Sequence, residues 1–562
     1  MVTKIYEIAN DYVERSAALD PVGATAEGIA GHDHELTDYS PEGSAARAAL
    51  ARETLLALDA ETPAGDRDRI ASEMMRERLE LAVSQHEHGE ELRDLRVLGS
   101  PLQSIRQCFD LMAYDTVDDW AVAAERMTHV PESLASFRAA LEEGARRDLV
   151  AARRQALACA LQAETWGGLT GEEPFFRALA SRYDSSANGG RGNGTVGATL
   201  NRAADDATAA YADIAKWLRE TYAPAATERD AVGADRYRLQ ARMFCGMELN
   251  LAETYDWGWD ELYRIEHAMG EVGERILPGE GLPAVIDYLE HDEHRAIEGV
   301  EPFREWLQAL IDQSIADLNG THFDLAEPLR RCEAMIAPPG GTAAMYYSGP
   351  SEDFSRPGRT WYPTLGKTRF PLWREVSICY HEAVPGHHLQ IAQVRYLADE
   401  LSRYQRTAGF VSGHGEGWAL YAERLMGELG YLDDPAFELG MLSAQAMRAV
   451  RVIVDIGMHL ELPIPARERY HPGDLWNAEI ALPFVIERSC FPEDFMKSEV
   501  DRYLGLPGQA ISYKVGEREW LAARAEVQAR KGADFDLKAF HSFALDLGGM
   551  GLAQLRRELA RF

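Results

Sequence analysis

Ten residues restrict this chain more than any others: His381-Glu382-Ala383-Val384-Pro385-Gly386-His387-His388-Leu389-Gln390. They hold three imidazoles and a carboxylate within eight positions. The His-Glu pair opens the motif by which helical zinc hydrolases supply one metal ligand and a general base. In the usual form a second histidine stands four residues on, because positions four apart share a helix face. Here that position is Pro385, which has no ligating side chain, and the next imidazoles are His387 and His388. At about 100° per residue, an unbroken helix puts His387 roughly 120° off the face of His381. His388 returns to that face about 10 Å along the axis, too far for two bonds of about 2 Å to one ion. Either the histidines cap a helix end and bond to backbone, or they share a metal across a broken helix. Pro385-Gly386 supplies the means of breaking it, by removing a backbone donor and relaxing the dihedrals.

A second carboxylate bears on that choice. Glu416, in Gly413-His414-Gly415-Glu416-Gly417-Trp418, follows His388 by 28 residues. That is enough chain to finish one helix, turn, and run a second beside it. A glutamate reached this way is the third ligand in zinc hydrolases of the His-His-Glu type. The flanking glycines permit close backbone approach. The plainer reading of Glu416 is a solvated first-turn carboxylate favoured by the helix dipole.

The formal net charge of -33 argues against a nucleic-acid or anionic-membrane surface. At 562 residues, 46% hydrophobic and 27% charged, the chain has ample material for an extensive core. Cys108, Cys159, Cys245, Cys332, Cys379 and Cys490 are scattered without a C-x-x-C pair and read as buried thiols of a reducing compartment. Met1-Val2-Thr3-Lys4-Ile5-Tyr6-Glu7 lacks an apolar signal core, and no run of about 18 apolar residues follows. A cytoplasmic location is the expectation.

Helical periodicity covers 3–18, 45–60, 66–89, 117–128, 131–164, 196–223, 234–246, 256–276 and 292–318. Leu79, Leu81, Ala82, Leu141, Leu149 and Leu157 fall on core-facing stripes. His32 and His34 belong to a solvated loop. The glycine-rich 185–194 is a loop without the lysine-serine pair of a phosphate site. Composition changes at Ala337-Pro338-Pro339-Gly340-Gly341, which suggests a helical part over 1–335 and a metal-site part over 336–562. The segments 342–347 and 359–364 carry the β-branched and aromatic bias of strands. Helices resume over 372–400, 414–429, 436–462, 474–504 and 515–531.

HEAVPGHHLQ, then GEGWALYAE, RAVRVIVDIGMH and PGQAISYKVG, together with the preceding SRPGRTWYPT, resemble the bacterial family known as domain of unknown function 885. The collinear motifs span about 340–520. That family is grouped with glutamate-liganded zinc peptidases and is similar in fold to carboxypeptidase Taq-type metallopeptidases. The resemblance implies a mainly α, multi-helical fold with a deep cleft and a small sheet before the active-site helix. The helical part over 1–335 is expected to wall that cleft. It makes His381 and Glu416 ligands of one zinc ion and Glu382 the general base. Glycine often precedes the second histidine in related peptidases, which favours His387, with His388 the alternative. Relatives often carry an acid four residues after the third ligand. Leu420 stands there instead, so Asp455 is the candidate to support a ligating histidine.

Amide hydrolysis also needs a donor to the oxyanion, and Tyr513 is the candidate. Arg356, Arg448, Arg451 and Lys514 are the cations available to hold a substrate carboxylate. Strand 359–364 is an edge on which an extended peptide could pair. The expected partner is a peptide or small amide, with no nucleic acid and no membrane. The expected function is zinc-dependent hydrolysis of short peptides, carboxypeptidase-like if the cations converge. The alternative is a degenerate metallopeptidase fold that binds a ligand without turnover. The displaced histidine and Leu420 favour that alternative.

Overall fold

The computed structural model describes residues 3–185, 194–337 and 345–562. The glycine-rich loop 186–193 and the first residues of the expected strand 342–347 lie outside them. The chain is mainly helical, with five short strands among the described residues. It divides into two compact units, Met1–Val232 with Leu504–Leu506, and Gly233–Tyr503 with Pro507–Phe562.

The first unit is a helical bundle. Its helices start where short polar side chains cap them: Thr3 accepts from the Tyr6 amide, and Thr116 and Asp119 form a capping box. Helix Gly194–Trp217 packs against helices Val117–Thr128 and Arg153–Trp166 over a core that includes Phe109, Trp120, Phe137, Phe176 and Tyr211. Leu79, Leu81 and Leu141 are buried as their spacing predicts, whereas Ala82 is exposed. The helix expected over 131–164 is two, Val130–Arg146 and Arg153–Trp166. The chain turns between them at Asp148, whose φ is +58°.

The second unit contains α1 (Leu251–Ile276), α2 (Val300–Leu318), α3 (Glu375–Glu382), α4 (His387–Tyr396), α5 (Ser412–Glu428), α6 (Pro435–Leu460) and α7 (Ser512–Lys531). Helix α6 is the centre, buried almost end to end, and α1 packs along it. The absence of a side chain at Gly258 permits that approach: a Cβ there would lie 2.9 Å from Val452. This packing joins residues after Gly233 to the histidine motif. The composition change near 335 therefore does not mark the edge of a unit, which falls at Val232.

Strands β1 (Ala296–Glu298) and β5 (Arg369–Pro371) pair antiparallel. The other sheet comprises β2 (Cys332–Ile336), β3 (Tyr346–Ser348) and β4 (Gly358–Tyr362) in the order β2-β4-β3. β4 pairs parallel with β2, Cys332 opposite Gly358, and antiparallel with β3, Tyr347 opposite Thr360. The strand expected to offer a free edge is thus the central one, with its backbone groups engaged on both sides. Gly358, Thr360 and Tyr362 alternate inward, and Gly358 leaves room for Tyr347 and His388, which a Cβ would meet at 2.2 and 2.5 Å.

Candidate metal centre

The helix carrying the histidine motif is broken where the spacing requires. α3 ends at Ala383 (φ -95°, ψ -130°), and α4 starts after Gly386 (φ -76°, ψ -130°). The Val384–Pro385 peptide is cis. At Gly386 the chain folds back so closely that a Cβ would lie 1.9 Å from the His381 carbonyl oxygen. Only glycine fits there. The break brings the His381 and His387 rings to 4.8 Å between centroids, at 87° to one another. Trp418, fully buried on α5, donates its indole N–H to the Pro385 carbonyl at 2.9 Å and ties the break to the next helix.

Glu416 enters from α5. Gly417 has no room for a side chain, as a Cβ there would meet the Gly516 backbone of α7 at 2.5 Å, whereas one at Gly415 would meet the exposed Phe410 ring at 2.5 Å. Glu416 Oε2 lies 3.4 Å from His381 Nε2 and 3.4 Å from His387 Nε2. The three ligand atoms all fall within 4.8 Å of one another. Two atoms held at about 2.0–2.1 Å by one tetrahedral centre are about 3.3–3.4 Å apart, so the two contacts to Glu416 have the spacing of a metal site. They are too long for normal hydrogen bonds. Glu416 Oε2 and His387 Nδ1 are buried without a hydrogen-bond partner, and a cation among these donors would satisfy the carboxylate.

The electrostatics agree with that fit. Burial opposes charge on Glu416, yet His387 and His381 hold its carboxyl well below the usual range. Burial would lower the His381 pKa, but Glu416 and Glu423 raise it to about 9. The proton kept there is one that a cation can replace.

Glu423 is the functional residue that sequence reasoning missed. His381 Nδ1–H donates to Glu423 Oε1 at 2.8 Å, which turns Nε2 toward Glu416 and His387. Ser377 donates to Glu423 Oε2 at 2.5 Å, and Arg448 Nη1 stands 3.0 Å from Oε1. Arg448 Nη2, 3.3 Å from His381 Nδ1, meets a nitrogen that already carries its proton and is a neighbour, not a donor to it. Glu423 follows Glu416 by seven residues, two helical turns, and so shares its face. The position four residues after Glu416 holds Leu420, which is fully buried. Asp455, expected in this supporting role, instead accepts from Tyr237 (2.6 Å) and the Gly508 amide (2.9 Å). None of its partners is a ligand candidate.

Glu382 is buried, its Oε2 lacks a hydrogen-bond partner, and burial raises its pKa while His381 and His387 act against the rise. Tyr513, in the first turn of α7, is held at about 12 by burial and then by the charge of Glu416, so its phenol stays protonated at neutral pH. His388 faces away. Its Nε2–H donates to the Leu329 carbonyl at 2.9 Å and its Nδ1 accepts from Tyr347 at 2.9 Å, leaving no lone pair for a metal.

Three of the four cations expected to receive a substrate carboxylate are already engaged. Arg448 Nη1 lies 3.0 Å from Glu423, although its Nε and Nη1 are buried without a hydrogen-bond partner; Arg451 donates to Glu499 (2.7 Å) and Tyr503 (3.0 Å). Lys514 is fully buried against Glu261 (2.7 Å), Gln445 (2.6 Å) and Glu517. Buried carboxylates make such buried cations tolerable. Arg356 is exposed, and among the described residues no carboxylate lies within ion-pair distance of it.

A family model described as "Bacterial protein of unknown function (DUF885)" matches residues 21–559. The chain belongs to this family. The DUF885 match extends far beyond the motifs of 340–520 and takes in nearly all of the first unit. No curated protein matches the chain. Among solved structures, "the putative lipoprotein from Colwellia psychrerythraea" is 22% identical and superposes at a TM-score of 0.85, covering 100% of this chain and 99% of its own. A "putative lipoprotein of unknown function from Shewanella oneidensis" is 17% identical, with a TM-score of 0.74 over 99% of this chain and 100% of its own. Both share the fold over its full length. A Pyrococcus furiosus carboxypeptidase is 14% identical at a TM-score of 0.36, too distant for a common fold to be read from it.

These neighbours correct the expected location. Two solved structures of the same fold, both described as putative lipoproteins, overturn the cytoplasmic assignment. Five of the six cysteines are free and buried, and that reflects packing, which does not fix a compartment. Among the described residues no helix is long and apolar enough to cross a membrane.

Proposed function

We propose that this DUF885 chain hydrolyses peptide amide bonds with one zinc ion held by His381, His387 and Glu416. The observation that carries the reading is the convergence of two imidazole Nε2 atoms on one buried, unpartnered carboxylate oxygen beside Glu382. Two nitrogens and one oxygen are a donor set of catalytic zinc. Zinc bound there supplies Lewis acidity, which polarises a carbonyl and makes water easier to deprotonate. Glu382 takes the proton from water and passes it to the leaving amine. Its burial-raised pKa moves it toward the range in which a carboxylate serves both steps. The Tyr513 phenol donates to the oxyanion, and Glu423 keeps His381 in the ligating tautomer.

Arg448, Arg451 and Lys514 each face a protein carboxylate, which favours internal bonds of peptides as substrates over recognition of a terminal carboxylate. Turnover is favoured over binding alone because the break at Gly386 brings His387 to Glu416 and Glu423 stands against His381 where Leu420 cannot. The test is a mixed peptide library with zinc-loaded protein and with Glu382→Gln. The variant should retain one equivalent of metal and lose roughly 100- to 10,000-fold in rate. Full turnover by Glu382→Gln would reject the base, and protein that takes up no zinc would reject the site.

A further inference from the structure

We infer that Arg451 is a positioning residue for Tyr513, its guanidinium lying over the phenol ring so that the ring is held in place in the first turn of α7. The guanidinium carbon lies 4.7 Å from the ring centroid. Arg451 is buried, 6% exposed, and its edge is held in plane: Nε donates to Tyr503 Oη at 3.0 Å and Nη2 to Glu499 Oε2 at 2.7 Å. Glu499 is itself fixed, accepting from Arg502 Nε (2.9 Å) and Nη2 (2.7 Å) and from the Tyr503 hydroxyl (2.8 Å). Because a guanidinium is planar, bonds along its edge determine where its face points. That face is presented to Tyr513.

The backbone beneath the tyrosine is also anchored. At Gly516, three residues on, a Cβ would meet the Gly413 carbonyl at 2.1 Å and Gly417 Cα at 2.7 Å. With main chain locked to α5 and ring face covered by Arg451, little freedom remains for the phenol. Arg451 uses its Nε and Nη2 edge for Tyr503 and Glu499. It acts through the face. Lysine cannot do this, because an ammonium has no plane to stack.

The effect on turnover rests on the hydrolase reading, whereas the effect on Tyr513 order does not. The test places 3-fluorotyrosine at position 513 of the full chain and records its 19F resonance. A single narrow line is expected in the parent, and a split or exchange-broadened line in Arg451→Met and Arg451→Lys. Tyr503→Phe removes one in-plane bond and leaves Glu499 paired, so it reports in the same direction even if the Arg451 variants fail to fold. An unchanged line in every folded variant would overturn the inference. On any peptide the parent cleaves, Arg451→Met and Tyr513→Phe should each lower kcat about tenfold or more, with the double variant no slower than Tyr513→Phe alone. Multiplying losses would show that Arg451 acts independently and would also overturn it. Altered 19F lines in a chain that cleaves nothing would reject the hydrolase reading and leave the positioning role standing.

Discussion

Glu423 Oε1 accepts the Nδ1 proton of His381 at 2.8 Å, while Nε2 of the same ring faces Glu416 at 3.4 Å. One imidazole thus bridges two glutamates two turns apart on a single helix, with different roles for its two nitrogens. Glu423→Gln should keep an acceptor near Nδ1 but lose the charge facing Arg448. Metal affinity should fall roughly 10- to 100-fold. The unpaired buried arginine should cost stability, by about 3–5 kcal/mol if nothing compensates it. Chelator competition and thermal melts measure the two effects, and unchanged affinity would remove Glu423 from the centre.

The two adjacent histidines should separate cleanly. His387→Ala removes a ligand and should abolish tight zinc uptake with modest loss of stability. His388→Ala should keep one equivalent of metal and melt lower, because it strands the Leu329 carbonyl and the Tyr347 hydroxyl, at about 1–3 kcal/mol each. The opposite pattern in metal analysis would mean that the ligand assignment is reversed.

Gly386→Ala tests the fold-back. The added methyl would sit 1.9 Å from the His381 carbonyl oxygen, an overlap with backbone that no rotamer relieves. The expected result is a loss of at least about 1–3 kcal/mol together with impaired zinc binding, since the same displacement moves both imidazoles. Retained metal at parental affinity would show that the break tolerates a side chain.

Proton and metal compete at His381. Its pKa in the metal-free protein is raised to about 9 from 6.5, so the stabilisation it gives is complete below pH 6.5 and is lost as pH rises through 9. The amount at stake is roughly 3 kcal/mol. Metal-free protein should therefore weaken between these limits. Zinc affinity should climb by up to about tenfold per pH unit over the same range, with one proton released per ion bound. Calorimetry in buffers of different ionisation enthalpy counts that proton, and a pH-independent affinity from 7 to 9 would place it elsewhere.

The motifs in order pick out His381 and Glu416, which the fold brings together with His387. The spacing also required a helix break between Ala383 and His387, and the chain breaks there. Harder to read were the partners of charged groups. Arg448, Arg451 and Lys514 look like available cations in a sequence, and Glu423, Glu499 and Glu261, which occupy them, are set far off along the chain or on another helix. Asp455 was misplaced for the same reason: its partners, Tyr237 and Gly508, lie 218 and 53 residues away.

The sequence by itself determined the helical class, the family, the break at Pro385-Gly386 that a shared ion would need, and the residue types of a candidate metal centre. These follow from local periodicity, local conformational limits and fixed short spacings. Only the tertiary structure decided that His387 and not His388 faces Glu416, that β4 is central with no free edge, and that the unit holding the site begins at Gly233. It also showed that three of the four expected anion-binding cations are already paired. Each of these depends on which distant segments pack together, and burial of charge makes that packing, not the local sequence, the arbiter of which groups remain free.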